Sequence, residues 1–313
     1  MLAKSELKYF YLAVLAILPY LTGLNHAFVY DDHGVIEENT FLEKPSNFLR
    51  VITLQTLGDP DVIDGQRPVV VASYFVDRMI WELRPFGYRI TNFLLHGLVT
   101  VLLFFILRRL SSPLLAGTVA LLFSWHPLLV EAVHAPSFRE DLLYVAFGLI
   151  YLLVGTKPRI AVSDWLCGMT ALALAMLSKE AAVVFPVLLT AVWWLFPYQR
   201  PEKKTVIAWL IVSGVLVAGL ACLVLGGRPV QALGRTWNGI SLQGDEGVWS
   251  APWLAVCMLR KLVVPYPLSV DYVITPVKEM MDVRWWLGMV ALVAGAGVAW
   301  RERERSPLIT FIR

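Results

Sequence analysis

The sequence predicts an all-α polytopic membrane protein, with about eight transmembrane helices and two long outer loops that carry short surface helices. Three observations predict it. Of 313 residues, 58% are hydrophobic and only 16% are charged, against ~25% charged in an ordinary soluble domain; mean hydropathy is +0.64. The apolar residues gather in runs near the ~20 residues that a spanning helix needs. These runs do not alternate apolar and polar residues as barrel strands would, and only helices and closed barrels satisfy the backbone in lipid.

The first run, 7–24, follows Lys4 and Lys8 and leads straight into Asn25-His26-Ala27-Phe28. It has no small-x-small cleavage site, so it reads as an uncleaved first span rather than a signal peptide. Residues 25–89 then form the first outer loop. Within it, Pro45–Ile52 reads as a short amphipathic helix behind a helix-starting proline. Pro68–Leu83 places Val71, Phe75, Met79 and Leu83 at helical spacing, and both segments are expected to lie along the membrane surface. Further spans are expected at 90–107, 114–131, 142–155, 161–177, 181–197 and 205–225. Pro127 should kink the segment it enters. A second outer loop covers 226–283. Inside it, 252–264 sets Trp253, Leu254, Met258 and Leu262 against Arg260 and Lys261, a surface-lying helix too short to span. The last span is 284–300. Together these make one membrane domain, 1–313, with no low-complexity stretch and no repeat.

Lys and Arg in the short loops set the orientation. With the N-terminus inside, the inner segments hold Lys4, Lys8, Arg108, Arg109, Lys157, Arg159, Arg200, Lys203, Lys204, Arg301, Arg303, Arg305 and Arg313, whereas the short outer turns hold only Arg139 and Lys179. Both termini are therefore expected in the cytoplasm. All but five of the 24 carboxylates fall outside, so chemistry that needs acids is expected on the outer face. A net charge of +3 implies no nucleic-acid partner. Cys167, Cys222 and Cys257 are scattered and odd in number, which gives neither a disulfide framework nor metal-ligand spacing.

Four polar clusters could carry chemistry. Tyr30-Asp31-Asp32-His33 lies just beyond the first span. A carboxylate there can act as a general base, or the Asp31–Asp32 pair can hold a divalent cation; a solvated turn is the plainer reading. His33 could relay or ligate beside it. Gln66-Arg67-Pro68 offers a planar fork for a phosphate or an ion pair with Asp59, Asp61 or Asp64. The third cluster, around His126, Glu131 and His134, continues into Arg139-Glu140-Asp141. Ionisable residues at an apolar run are functional candidates, with helix capping and ion pairing as the alternative for the Arg-Glu-Asp triplet. Ser178-Lys179-Glu180 is wedged between two runs, where Lys179 could meet a lipid phosphate or snorkel to the interface. All four clusters fall on the same predicted face. Acids to activate a hydroxyl and cations to stabilise a departing phosphate suit transfer from a lipid-linked phosphate donor.

Seven stretches in chain order carry a family resemblance: Phe-Val-Tyr-Asp-Asp-His (28–33), Gln-Arg-Pro-Val-Val (66–70), Arg-Pro-Phe-Gly-Tyr-Arg-Ile-Thr-Asn-Phe-Leu-Leu-His (84–96), Trp-His-Pro-Leu-Leu-Val-Glu-Ala-Val (125–133), Arg-Glu-Asp-Leu-Leu (139–143), Leu-Ser-Lys-Glu (177–180) and Pro-Leu-Ser-Val-Asp-Tyr (267–272). The chain resembles the transmembrane and tetratricopeptide-repeat O-mannosyltransferases and their bacterial relatives, within the C-type glycosyltransferase superfamily. The resemblance implies transfer of a sugar, such as mannose, from a polyprenyl-phosphate-linked donor to a protein hydroxyl or a glycan on the non-cytoplasmic face. It implies that Asp31 or Asp32 is the base, that Arg67, Arg139 and Lys179 contact the donor phosphate, and that His33, His126, Glu131, Glu140, Asp141 and Glu180 support them. No cofactor is implied beyond a candidate divalent cation on Asp31 and Asp32. The family's soluble repeat domain is expected to be absent, since no ~34-residue period appears, and Ser306–Arg313 reads as the start of a further span. The compact loops lean towards a bacterial inner membrane. Two other classes fit the composition: a transporter or flippase of a lipid-linked substrate, and a non-catalytic assembly subunit. A transporter would place polar groups near the bilayer midplane, whereas the clusters here sit at one edge.

Overall fold

The structure, a computed structural model, describes residues 4–57, 59–225, 246–269 and 275–305. Among them every regular element is helical. The α-helices are α1 (Lys4–Ile17), α2 (Asn47–Ile52), α3 (Pro68–Trp81), α4 (Pro85–Leu110), α5 (Pro113–Ser124), α6 (Val130–His134), α7 (Arg139–Gly155), α8 (Val162–Met176), α9 (Val184–Leu195), α10 (Lys203–Leu225), α11 (Glu246–Val263) and α12 (Val283–Arg305). The chain divides into two compact units, 1–226 and 227–313.

Each predicted span is found as helix, and prolines set many of the boundaries. Pro19 ends α1 and hands the chain to a 3-10 segment, Leu18–Gly23, because proline lacks the donor that would continue the helix. Pro68, Pro85 and Pro113 each start a helix at its first turn, where a missing N–H costs nothing. The expected kink at Pro127 is present: Pro113–Ser124 and Pro127–His134 are bent by 53°. These breaks leave short helices, and the count of eight crossings does not follow from them. Among the described residues, only Pro85–Leu110 and Lys203–Val224 are long and apolar enough to cross a membrane, or three segments if the bent pair is one span. At 1.5 Å per residue, a helix of 12 to 17 residues falls short of a ~30 Å hydrocarbon core.

Helix α7 is the centre of the first unit. Ala146, Leu149, Tyr151, Leu152 and Val154 are buried against α4, α8, α9 and α10, together with Val99, Leu172, Leu189 and Trp209. Two glycines let α9 approach α7. A Cβ on Gly148 would lie 1.9 Å from the Phe185 ring, and one on Gly155 would lie 2.5 Å from Leu189. Small residues seven apart on one helix face are how membrane helices pack closely. A second core forms between the first long loop and α3, where Phe28, Ile36, Leu42, Val51, Val71 and Phe75 meet Tyr88. The helical spacing read over 68–83 is found as α3, which ends at Trp81; Val71 and Phe75 are in this core, whereas Met79 and Leu83 are exposed.

In the second unit α11 and α12 pack together so closely that the Pro252 carbonyl carbon lies 2.5 Å from where a Gly288 Cβ would be. The expected surface helix over 252–264 is part of the longer α11, with Pro252 inside it. Ser250 Oγ accepts the Val277 amide at 2.8 Å. Much of the second long loop, including residues 270–272 of its motif, lies outside the described residues.

Candidate active site

Three of the four polar clusters converge. Arg67 stands at the start of α3, Glu140 and Asp141 in the first turn of α7, and Lys179 and Glu180 in the break between α8 and α9. The backbone ties these elements together, since the Val69 amide donates to the Leu177 carbonyl at 3.4 Å. Arg67 Nη1 donates to Glu140 Oε1 at 2.8 Å and lies 3.9 Å from Asp64. Its Nη2 donates to the two oxygens of Glu180 at 3.3 and 3.5 Å. Lys179 Nζ donates to Asp141 at 2.7 Å and lies 3.5 Å from the same Glu140 oxygen; its charge also sits over the Tyr144 ring at 5.9 Å. The two cationic nitrogens are therefore at most ~6.3 Å apart, the sum of their distances to the shared oxygen, a gap that one phosphate can bridge with two charge-assisted hydrogen bonds.

The node is graded in exposure. The Glu140 side chain is only 8% exposed, Arg67 24% and Glu180 56%. Burial raises the Glu140 carboxyl, and Arg67 and Lys179 only partly offset it. Burial also raises Asp64, opposed by Arg67 and reinforced by the negative charge of Asp31 and Glu180. Burial alone would lower Arg67 and Lys179, but the surrounding carboxylates outweigh it and hold both above their usual values. Both cations are thus charged at any physiological pH.

The Asp31–Asp32 pair divides into two unlike residues. Asp32 is fully buried. Its Oδ1 accepts the Ser137 amide at 2.8 Å and its Oδ2 the Val29 amide at 3.1 Å, so both oxygens are in use. Asp31 is exposed and adds its charge to that around Asp64; among the described residues its side chain makes no hydrogen bond or ion pair. Buried Arg89 completes the support. It donates to the carbonyls of His26, Ala27 and His134, the last at 3.0 Å. Arg89 and Asp32 therefore bind the same two segments, 26–29 and 134–137, one through carbonyls and one through amides, with opposite charges.

Arg139 is placed differently from the phosphate contact expected of it. Its guanidinium is completely buried and 2.5 Å from Asp77. It also donates to Asn92 Oδ1 at 2.7 Å, Ser73 Oγ at 3.2 Å and the Tyr88 carbonyl at 3.1 Å, with the Tyr74 ring 5.0 Å away. No face of it is open to a ligand. His33 pairs with Glu37 at 2.5 Å on the exposed loop, apart from the node. His126 accepts the Leu128 amide at 3.3 Å and caps the bend. Glu131 lines a cavity of about 280 Å³ whose wall also includes Phe123, Phe138, Asp141 and Tyr144, so the cavity abuts the node through the last two. Among the described residues, no three His, Cys, Asp or Glu side chains are placed to hold one metal ion.

Sequence reading missed Asp77, Arg89 and Asn92. A signal was present: Arg89, Asn92 and His96 lie three and four residues apart, a polar stripe on one face of an apolar helix, and all three are buried. Buried polar groups in such a helix seldom lack a role.

Comparison with known proteins agrees with the motifs. The chain is 33% identical over 308 residues to protein O-mannosyl-transferase Tmtc1 of Drosophila melanogaster, covering 87% of this chain and 35% of that protein. It is 30% identical over 282 residues to protein O-mannosyl-transferase Tmtc2 of the same organism, covering 82% of this chain and 29% of the relative. Protein O-mannosyl-transferase TMTC3 of Mus musculus is 28% identical over 145 residues, 45% of this chain and 16% of its own length. This chain thus spans well under half the length of these curated relatives. No protein-family model matches it, and no solved structure does.

Proposed function

We propose that this chain, a membrane protein related to the protein O-mannosyl-transferases, is a glycosyltransferase that moves a sugar from a polyprenyl-phosphate donor to a protein hydroxyl. The convergence of Arg67 and Lys179 on one oxygen of buried Glu140 carries the reading, because it sets two permanent cations at phosphate-bridging distance beside the exposed carboxylate of Glu180. In this reading the donor phosphate contacts Arg67 and Lys179, and the cavity against Asp141 and Tyr144 receives apolar chain. The acceptor oxygen bonds to the anomeric carbon as the bond from that carbon to the phosphate oxygen breaks. The acceptor proton passes to Asp31, and polyprenyl phosphate leaves with the electron pair. Charge grows on the phosphate as the bond breaks, so cations fixed in advance stabilise the transition state more than the donor. Asp32 does not take the proton; it holds the loop that presents Asp31. We place the node on the non-cytoplasmic face of a multi-pass protein with about eight crossings, the shorter ones completed by the segments that flank them.

The test is transfer of labelled mannose from polyprenyl-phosphate mannose to a Ser/Thr-rich peptide by purified protein in nanodiscs. Asp31→Asn should lose at least ~100-fold in kcat, the usual scale of general-base catalysis, while donor still binds. Full activity in that variant would remove Asp31 from the mechanism. Donor-independent binding of peptide with no transfer by the wild-type protein would remove the activity.

A further inference from the structure

Arg67 is held by two carboxylates of opposite character. Glu140 is buried and short at 2.8 Å on Nη1, whereas Glu180 is more than half exposed and long, at 3.3 and 3.5 Å, on Nη2. The first contact fixes the guanidinium and the second covers its outward edge. A half-exposed ion pair at such lengths contributes little and breaks readily. Glu180 also starts a 3-10 turn at a break between helices, next to Lys179, which is anchored separately on Asp141. Its side chain can therefore swing into solvent without disturbing either cation.

We propose that the Glu180 carboxylate is an exchangeable internal anion: it occupies the outward edge of Arg67, yields it to the donor phosphate, and returns to displace the polyprenyl phosphate after transfer. The inference rests on the phosphate-binding reading of Arg67. Its consequence follows from charge. A sugar-bearing donor is a phosphodiester with one negative charge, whereas the product is a monoester carrying about −1.5 to −2 at pH 7. A carboxylate that stays near the site opposes the product more than the donor. Glu180 thus limits product retention at the site where two cations would otherwise hold it.

The experiment measures binding of a polyprenyl phosphate, and of its mannosyl ester, to full-length wild-type, Glu180→Gln, Glu180→Asp and Arg67→Gln proteins in nanodiscs, with thermal stability as a folding control. Glu180→Gln should bind the monoester about two- to five-fold more tightly, the range of a half-exposed ion pair. The gain should be smaller for the mannosyl ester and should shrink at high salt; Glu180→Asp should resemble wild type. Product inhibition of transfer should strengthen in Glu180→Gln by the same factor. Unchanged or weaker monoester binding in Glu180→Gln, with binding still lost in Arg67→Gln, overturns the exchange alone. Binding that survives Arg67→Gln overturns the phosphate site and the exchange together.

Discussion

Replacing Arg139 and Arg67 one at a time separates a structural cation from the one proposed to bind phosphate. Arg139→Gln removes the partner of Asp77, which lies 2.5 Å away with both side chains essentially buried. It also removes donors to Ser73 and the Tyr88 carbonyl, while a neutral amide can replace at most one contact. Asp77 keeps a single hydroxyl donor, Thr91 at 2.7 Å. Breaking a buried pair from one side costs about 3–5 kcal/mol, because the surviving charge has no compensation. Arg67→Gln acts on a side chain that is a quarter exposed. After solvent screening, its loss should cost only about 1 kcal/mol of stability. A lost charge-assisted contact with a phosphate, at about 1.5–3 kcal/mol, should weaken polyprenyl-phosphate binding roughly ten- to a hundred-fold. The assay pairs denaturant unfolding in mixed micelles with ligand binding by the folded fraction. Arg139→Gln should be severely destabilised yet bind normally once folded, and Asp77→Asn in the same chain should recover part of the loss, since no buried charge then remains unpaired. Near-normal stability with lost binding in Arg139→Gln would refute this account and restore Arg139 as a phosphate ligand.

Three further outcomes follow from the same geometry. A lysine ammonium lacks the planar fork that joins the His26 and Ala27 carbonyls before Asp31 to that of His134, so Arg89→Lys should lower kcat about ten-fold with little change in donor KM, measured by steady-state transfer. Gly148→Ala puts a methyl into the Phe185 ring and should cost about 1–3 kcal/mol by overpacking; Phe185→Leu in the same chain should relieve it, read as unfolding free energy. Because burial raises the Glu140 carboxyl in the folded state, folding binds protons there; its ionised form is a penalty above the folded pKa, relieved as pH falls through it towards the unfolded value. Melting temperatures of wild type and Glu140→Gln should therefore shift in favour of wild type on going from pH 8 to pH 5, and a difference constant with pH would refute the burial argument.

The helical segments were legible because apolar runs and prolines act locally. Pro68, Pro85 and Pro113 mark helix starts in any context, and Pro127 bends its segment as its chemistry requires. Crossing was less legible. The run at 181–197 contains α9 of only 12 residues, since Pro197 and the Lys179-Glu180 break cut it at both ends. The site was legible as residue types, but not as contacts. Arg67 has acids at 59, 61 and 64 close in sequence; its shortest bond is nevertheless to Glu140, 73 positions away. No local pattern encodes that pairing, which depends on where α3 lands against α7.

Roles within each charged cluster were hidden for a geometric reason that the first turn of α7 makes plain. Successive helical residues point about 100° apart, so Arg139, Glu140 and Asp141 cannot share an environment. Arg139 faces α3 and α4 and is buried against Asp77 and Asn92. Glu140 faces Arg67, and Asp141 faces Lys179. One turn thereby sorts three adjacent charges into a structural cation, a buried anchor and a rim carboxylate. The same sorting separates Asp31 from Asp32, where the chain turns through Tyr30 at a φ of 51°. A sequence shows that such charges are present and near one another; burial decides which of them is free to meet a substrate. That is why four carboxylates gathered round two cations remain compatible with an anionic ligand: the shared anchor Glu140 is buried, and the counter-ion most easily displaced is the most exposed of the four, Glu180.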